Sequence, residues 1–236
     1  MKILVSLLSL MAFLLVVLSG PLYKFGIIEL STAFSGFKFG VYAGIAALVL
    51  LVLQFLLRRK TVTFGSAAMA IIFSAVAIAI PLSMMNKGQS VPPIHDISTD
   101  LINPPAFVAI APLRADAPNP VAYDGIETAE QQRQAYPELK TLNYSQPKVE
   151  LVSAVEQAIK NLGWELVNTD TSKGIVEATD TTTWFGFKDD IVVRVNDEGS
   201  ERLIDIRSKS RVGGSDLGKN AERIHTLIKE LNAVLY

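Results

Sequence analysis

The chain contains no cysteine. Disulfides, thiolate nucleophiles and zinc–sulfur sites are thereby excluded, but the absence fits any redox compartment and does not locate the protein. Acid is the second scarcity. Residues 1–90 hold one carboxylate, Glu29, against seven basic side chains, Lys2, Lys24, Lys38, Arg58, Arg59, Lys60 and Lys87. Of the chain's 22 basic and 23 acidic residues, the remainder therefore keeps 15 and 22, so a first part near +6 is joined to a second near −7. A basic apolar half followed by an acidic polar half argues for a membrane part and a water-facing part. The acidic half also argues against nucleic-acid binding, which needs a basic face to meet phosphate.

Charge is missing altogether from residues 3–19 and 62–82, and residues 39–57 carry only the polar Gln54. Each run has about the length of roughly 17–25 residues that a bilayer-spanning helix needs, and a helix satisfies its own backbone in lipid. Three spans are expected. Ala43, Gly44, Ala46 and Ala47 in the second run and Gly65, Ser66, Ala67, Ala68 and Ala70 in the third either let helices approach closely or merely raise apolar content. Pro81 is expected to kink or end the third helix. Residues 3–19 are read as a retained anchor. The alternative is a cleaved signal peptide, but the apolar core is long, Pro21 would follow the cut, and no A-x-A pattern precedes it. The cluster Arg58-Arg59-Lys60 places its end of the helices in the cytoplasm. The N-terminus is then inside, the loop of residues 20–38 and everything after residue 85 outside. That loop, rich in phenylalanine and isoleucine, reads as interfacial or as a short hairpin.

The second half opens with a proline-dense, turn-rich segment, residues 86–146. It also carries Ile94, Ile97, Leu101, Phe107, Val108, Ile110 and Leu113, so it is expected to pack on the domain or the bilayer surface rather than hang as a linker. A short helix is expected over residues 128–136. Beyond Pro147 the periodicity is regular: a helix over 149–162, strands over 164–169, 174–179, 190–196 and 202–208, and a last helix capped by Ser215 or Asp216 and running to about Leu235, with a further strand at 141–144. The fold class is α+β: three N-terminal transmembrane helices (residues 1–85), the proline-rich segment (86–146), and an antiparallel-sheet domain with two packed helices (147–236).

The most unusual stretch is Trp184-Phe185-Gly186-Phe187-Lys188-Asp189-Asp190, three aromatics around a glycine followed by a cation and two carboxylates. Together with Pro92-Pro93-Ile94-His95-Asp96-Ile97-Ser98-Thr99-Asp100, Asn103-Pro104-Pro105-Ala106-Phe107, Pro118-Asn119-Pro120 with Tyr123, Ala178-Thr179-Asp180, and residues 207–220 (RSKSRVGGSDLGKN), it resembles domain-of-unknown-function family 1499. The resemblance implies a membrane-associated bacterial or plastid protein with no established reaction, and supplies no catalytic residues.

Three constellations are weighed as sites. His95, Asp96 and Asp100, joined by Asp189, have the chemistry to bind a divalent metal or orient a base, although their spacing matches no metal signature and Ser98 lacks a G-x-S-x-G context. The competing reading is local hydrogen bonding that holds turns. Arg207, Arg211, Gly214 and Ser215 offer guanidinium groups beside a glycine turn and a helix start, which suits an anion such as a lipid headgroup; the competing reading is a turn with caps and paired arginines. Trp184, Phe185 and Phe187 are candidate recognition aromatics or a core corner. The expected function is a non-enzymatic, membrane-anchored binding or accessory module for a lipid, envelope component or partner protein, located in a bacterial inner membrane with its C-terminal domain in the periplasm. Its partners are the lipid bilayer and a lipid or envelope protein, with no nucleic acid; no cofactor is identified. The alternative is a metal-assisted envelope hydrolase using His95, Asp96, Asp100 and Asp189.

Overall fold

A computed structural model describes residues 1–236. The chain divides into two compact units: Met1–Lys87 together with Thr183–Gly186, and Gly88–Thr182 together with Phe187–Tyr236.

The first unit is helical, with α1 at Lys2–Val17, α2 at Ser19–Lys24, α3 at Leu30–Arg58 and α4 at Phe64–Ser90. Two of these are long and apolar enough to cross a membrane: α3, which continues to Thr61, and α4, with mean hydropathies of 2.4 and 2.2. At 1.5 Å per residue each exceeds the ~30 Å hydrocarbon core. Residues 3–19, the third expected span, fall mostly in α1, an apolar helix of only 16 residues. Two expectations change. Residues 20–38 are not a loop, since α2 and the first turns of α3 occupy most of them. Pro81 does not end its helix: α4 runs through it to Ser90. A proline removes one intrahelical hydrogen bond, and a long apolar helix retains enough others to continue.

Small residues let α1 and α4 close on α3. A Cβ on Gly36 would fall 2.9 Å from the Leu15 carbonyl, and one on Gly40 would fall 3.1 Å from that of Ala12; Gly44 instead faces Ser74 and Ile78 of α4. Phe13 and Phe73 stack at 4.9 Å between α1 and α4. Gly36 lies ahead of the apolar run 39–57 read from the sequence, and Gly40 is its second residue, at the edge of the small-residue cluster noted there.

The second unit is α+β. Its strands are β1 (Asp96–Ser98), β2 (Leu142–Tyr144), β3 (Glu165–Asp170), β4 (Ile175–Thr181), β5 (Lys188–Glu198) and β6 (Glu201–Ser210); its helices are α5 (Ile126–Ala135), α6 (Lys148–Asn161) and α7 (Lys219–Leu235). All pairings are antiparallel, in the order β1-β6-β5-β4-β3, with β2 beside β1 on the same edge of β6. Strand alternation sends Val176, Ala178, Ile191, Val193, Val195, Ile204 and Ile206 to one face. There they pack with Leu151, Val155 and Ile159 of α6 and Ile224, Leu227 and Leu231 of α7 in a single core. The helices are amphipathic and bury that stripe only. The opposite face is covered by the proline-rich segment, where Phe107 and Ile110 pack on Val192. β1 was not anticipated: three residues between prolines show too little alternation, and it forms because Asp96–Ser98 pair with Lys209, Ser208 and Arg207 of β6.

Candidate functional site

The sheet face under the proline-rich segment is lined with charge. Cross-strand register puts Asp96, Lys209, Asp190 and Thr179 in one row and Ser98, Arg207, Val192 and Glu177 in the next. Asp96, Asp190, Glu177 and Lys209 are wholly buried. Isolated charges at such depth would cost several kcal/mol each, so each requires partners.

The partners are all present. Asp190 receives Arg211 through Nε and an NH2 nitrogen at 2.8 Å each, Arg114 at 3.1 Å and the Thr179 hydroxyl at 2.7 Å. Asp96 is gripped by Arg207 at 2.8 and 2.9 Å and by Lys209 at 3.1 Å. Lys209 reaches on to Asp124 at 2.6 Å, and Asp124 faces His95 Nε2 at 3.1 Å. Glu177 accepts the backbone N–H groups of Val108, Ala109 and Ile110, pinning the cover segment just ahead of the turn at Ala111–Arg114. The Arg207 guanidinium lies between the rings of Phe107 and Tyr123, 5.0 and 5.3 Å from their centroids. Burial lowers the pKa of Arg114 while Asp190 opposes the shift, and the guanidinium remains charged.

These pairings decide the fate of the sequence candidates. Asp96 is held by two cations, and Asp100 accepts the N–H groups of Ile102 and Asn103 and pairs with Arg194 at 2.9 Å. Asp189 points to the helix-bearing face, where Arg223 of α7 joins it at 2.7 Å and Asp180 at 2.9 Å. His95 meets Asp124 instead of the proposed partners. No three His, Cys, Asp or Glu side chains are arranged to hold an ion. His95 and Asp96 thus share one network through Asp124 and Lys209, whereas Asp100 pairs with Arg194 and Asp189 pairs with Arg223 on the other face of the sheet. The arginine turn directs its donors inward as well. Arg207 uses its donors on Asp96, Pro105 and Val121, and Arg211 uses its own on Asp190 and Leu113. Gly214 is exposed, Ser215 accepts from Leu217 N–H, and α7 begins only at Lys219, with the Asp216 carboxylate taking the Gly218 and Asn220 N–H groups. Burial pushes the Asp216 carboxyl above its usual range, against the effect of those two hydrogen bonds.

The aromatic stretch behaves differently. Thr182 and Phe187 close a hairpin loop through Thr182 N–H to Phe187 O and Phe187 N–H to the Thr182 hydroxyl, both 2.9 Å. The loop itself, Thr183–Gly186, belongs to the helical unit. Trp184 stacks on Phe37 at 5.6 Å, and Phe185, 4 % exposed, contacts Phe34, Phe37 and Tyr23. The Trp184 indole N–H donates to the Val17 carbonyl at 3.0 Å, and Lys24 Nζ donates to Thr183 O at 3.1 Å. Proline chemistry explains the first bond. Pro21 has no N–H, so the carbonyl four residues earlier, Val17, loses its helical donor; α1 ends there and the indole takes over. Gly20 makes the room, since a Cβ there would lie 2.6 Å from the indole ring. Gly186 is constrained twice, by φ +70° and by the Lys24 stem, 2.7 Å from where its Cβ would be. Trp184 and Phe185 are therefore interior packing groups of the helical unit, while Phe187 lies in the other.

Several groups on this face escaped the sequence reading, notably Arg114, Glu177, Lys209 and Asp205, whose carboxylate accepts from Arg194 at 2.8 Å and from the Thr141 hydroxyl at 2.7 Å. The available signal was charge at alternate positions of β5 and β6 opposite a proline-rich segment full of apolar side chains: a sheet with two covered faces. The Gly20-Pro21 pair directly after the apolar run of residues 3–19 was the corresponding signal for the Trp184 contact.

Residues 96–231 match the sequence profile of a family described as "Protein of unknown function (DUF1499)". The match covers more than half of the 236 residues and includes every element of the charged layer; α1–α4 lie outside it. No curated protein matches the chain.

Proposed function

Because the chain belongs to the DUF1499 family of proteins of unknown function, we propose that it is an integral inner-membrane protein whose α+β domain serves, outside the cytoplasm, as a non-enzymatic binding module for a lipid, an envelope component or a partner protein. The observation that carries this reading is the Thr183–Gly186 loop. It packs on Phe34 and Phe37 near the start of α3, whereas Arg58, Arg59 and Lys60 stand at its far end. Phe37 to Arg58 spans about 32 Å of helix, the thickness of a hydrocarbon core. The packed aromatic cluster of Tyr23, Phe34, Phe37, Trp184 and Phe185 then lies at the level of one interface, and the basic cluster marks the cytoplasmic one. Helices α1 and α2, broken only at Leu18, together act as the third span. A binding role is favoured over catalysis because the polar side chains with reactive chemistry are engaged in internal ion pairs that hold the cover segment to the sheet.

Protease treatment of intact spheroplasts tests the topology. The α+β domain is expected to be digested from outside, leaving a fragment containing α1–α4. Protection of the domain until the membrane is permeabilised would overturn the reading.

A further inference from the structure

We infer that a groove along α1 and α2 holds one acyl chain of a bilayer phospholipid; the inference rests on the membrane reading above and names the ligand class. The groove is a shallow, half-open furrow of about 440 Å³ whose leucines remain partly exposed. Its long wall is Leu7, Leu14, Leu18 and Leu22, positions that recur at helical spacing over roughly 22 Å of helix. The only polar side chains in its lining are Ser19 and Thr32. Both lie at one end, next to the break where Trp184 meets Val17 and Gly20.

This polarity fixes the occupant. Helices that cross a bilayer are surrounded by hydrocarbon, so an open apolar furrow on their flank is filled by a chain, not by water. The polar end coincides with the aromatic cluster of Tyr23, Phe34, Phe37 and Trp184, the chemistry that sits at headgroup level. A phospholipid enters with its ester region near the exposed Thr32, since the Ser19 hydroxyl is buried and donates to the Leu15 carbonyl, and its chain runs down α1 toward Leu7. Gly36 borders the groove where α3 closes on Ser19 and the Leu15 carbonyl, and so forms its floor rather than free space.

The test uses the full-length protein reconstituted in phosphatidylcholine vesicles containing a phosphatidylcholine with a mid-chain diazirine. After photolysis, adducts are mapped by peptide mass spectrometry. Labelling on the Leu7–Leu14 side of α1 is expected to exceed that of the exposed α4 residues Ile71 and Ile72 by about tenfold. Leu14→Trp, which fills the groove, is expected to lower α1 labelling several-fold and leave α4 unchanged. Thr32→Leu narrows the polar end and is expected to act in the same direction, which keeps the test informative if Leu14→Trp misfolds. Equal labelling of α1 and α4, unchanged labelling in a folded variant, or α1 adducts to a second copy of the chain would each overturn the inference. Protease digestion of the domain alongside even labelling would sink the groove while sparing the topology; a protected domain with α1-selective labelling would do the reverse.

Discussion

The indole nitrogen of Trp184 hydrogen-bonds the carbonyl of Val17 across 167 positions of sequence, at 3.0 Å. That carbonyl is the one Pro21 leaves without a donor, and an unpaired carbonyl in an apolar setting is costly. Trp184→Phe keeps a ring but removes the donor, and is expected to lower stability in detergent by about 1–3 kcal/mol. Pro21→Ala restores an N–H to Val17, so the same Trp184→Phe change should cost clearly less in that background. Thermal unfolding of the four proteins measures the coupling; equal costs in both backgrounds would refute the account.

Gly20 provides a second, steric test of the same contact. A methyl group at this position lies 2.6 Å from Cδ1 and Nε1 of Trp184, well inside van der Waals distance. Gly20→Ala is expected to destabilise by about 1–3 kcal/mol through overpacking. With Trp184 already replaced by alanine the methyl finds space, and Gly20→Ala should be nearly silent. Such non-additivity is the signature of two residues in direct contact.

The buried charge layer predicts an order of costs. Asp190 serves two guanidinium groups and a hydroxyl. Asp190→Ala leaves Arg114 and Arg211 unneutralised at a buried site, and should cost about 3–5 kcal/mol. Arg114→Met removes one cation but leaves Asp190 paired to Arg211 and Thr179, so its cost should be distinctly smaller. Urea unfolding of the purified protein gives both values, and a reversed order would show that Arg114 rather than Asp190 organises the cluster.

The elements of the α+β unit were legible where periodicity is strong. Strands at 164–169, 174–179, 190–196 and 202–208 and a helix at 149–162 emerge within a few residues of β3, β4, β5, β6 and α6. Helix α7 starts later than expected because Leu217 and Gly218 both take left-handed conformations, at φ 56° and 77°, before the chain can coil. What alternation does not reveal is which polar residues are buried. Asp190, Arg194, Asp205 and Arg207 read as the solvent face of two strands; they are enclosed because a segment without regular structure folds over them. Only Phe107, Ile110 and their neighbours hinted at that cover. The groove could not be read from the sequence, since it arises where α1 and α2 meet at Leu18 and α3 closes on them at Gly36, a tertiary effect of two local features.

Tyr123 supplies a pH-dependent test of the enclosed face. Its ring stacks on Arg207 and its hydroxyl is buried without a hydrogen-bond partner. Burial, reinforced by the negative charge of Asp96, pushes its pKa from 10 up to about 12. The raised folded-state value fixes the sign: Tyr123 favours the folded state fully below pH 10, and this contribution disappears as pH climbs from 10 to 12. Tyr123→Phe retains the ring over Arg207 and removes an unsatisfied hydroxyl, so at pH 7 it should change stability by less than about 1 kcal/mol or raise it slightly. Between pH 10 and 12 the variant should lose less stability than the wild type. Tyrosinate absorbance gives an independent reading: the last tyrosine to ionise in the folded protein should vanish from the variant, while Tyr136 and Tyr144, also raised by burial, continue to titrate late. If the highest step survives in Tyr123→Phe, Tyr123 is open to water and the proline-rich segment does not seal that face of the sheet.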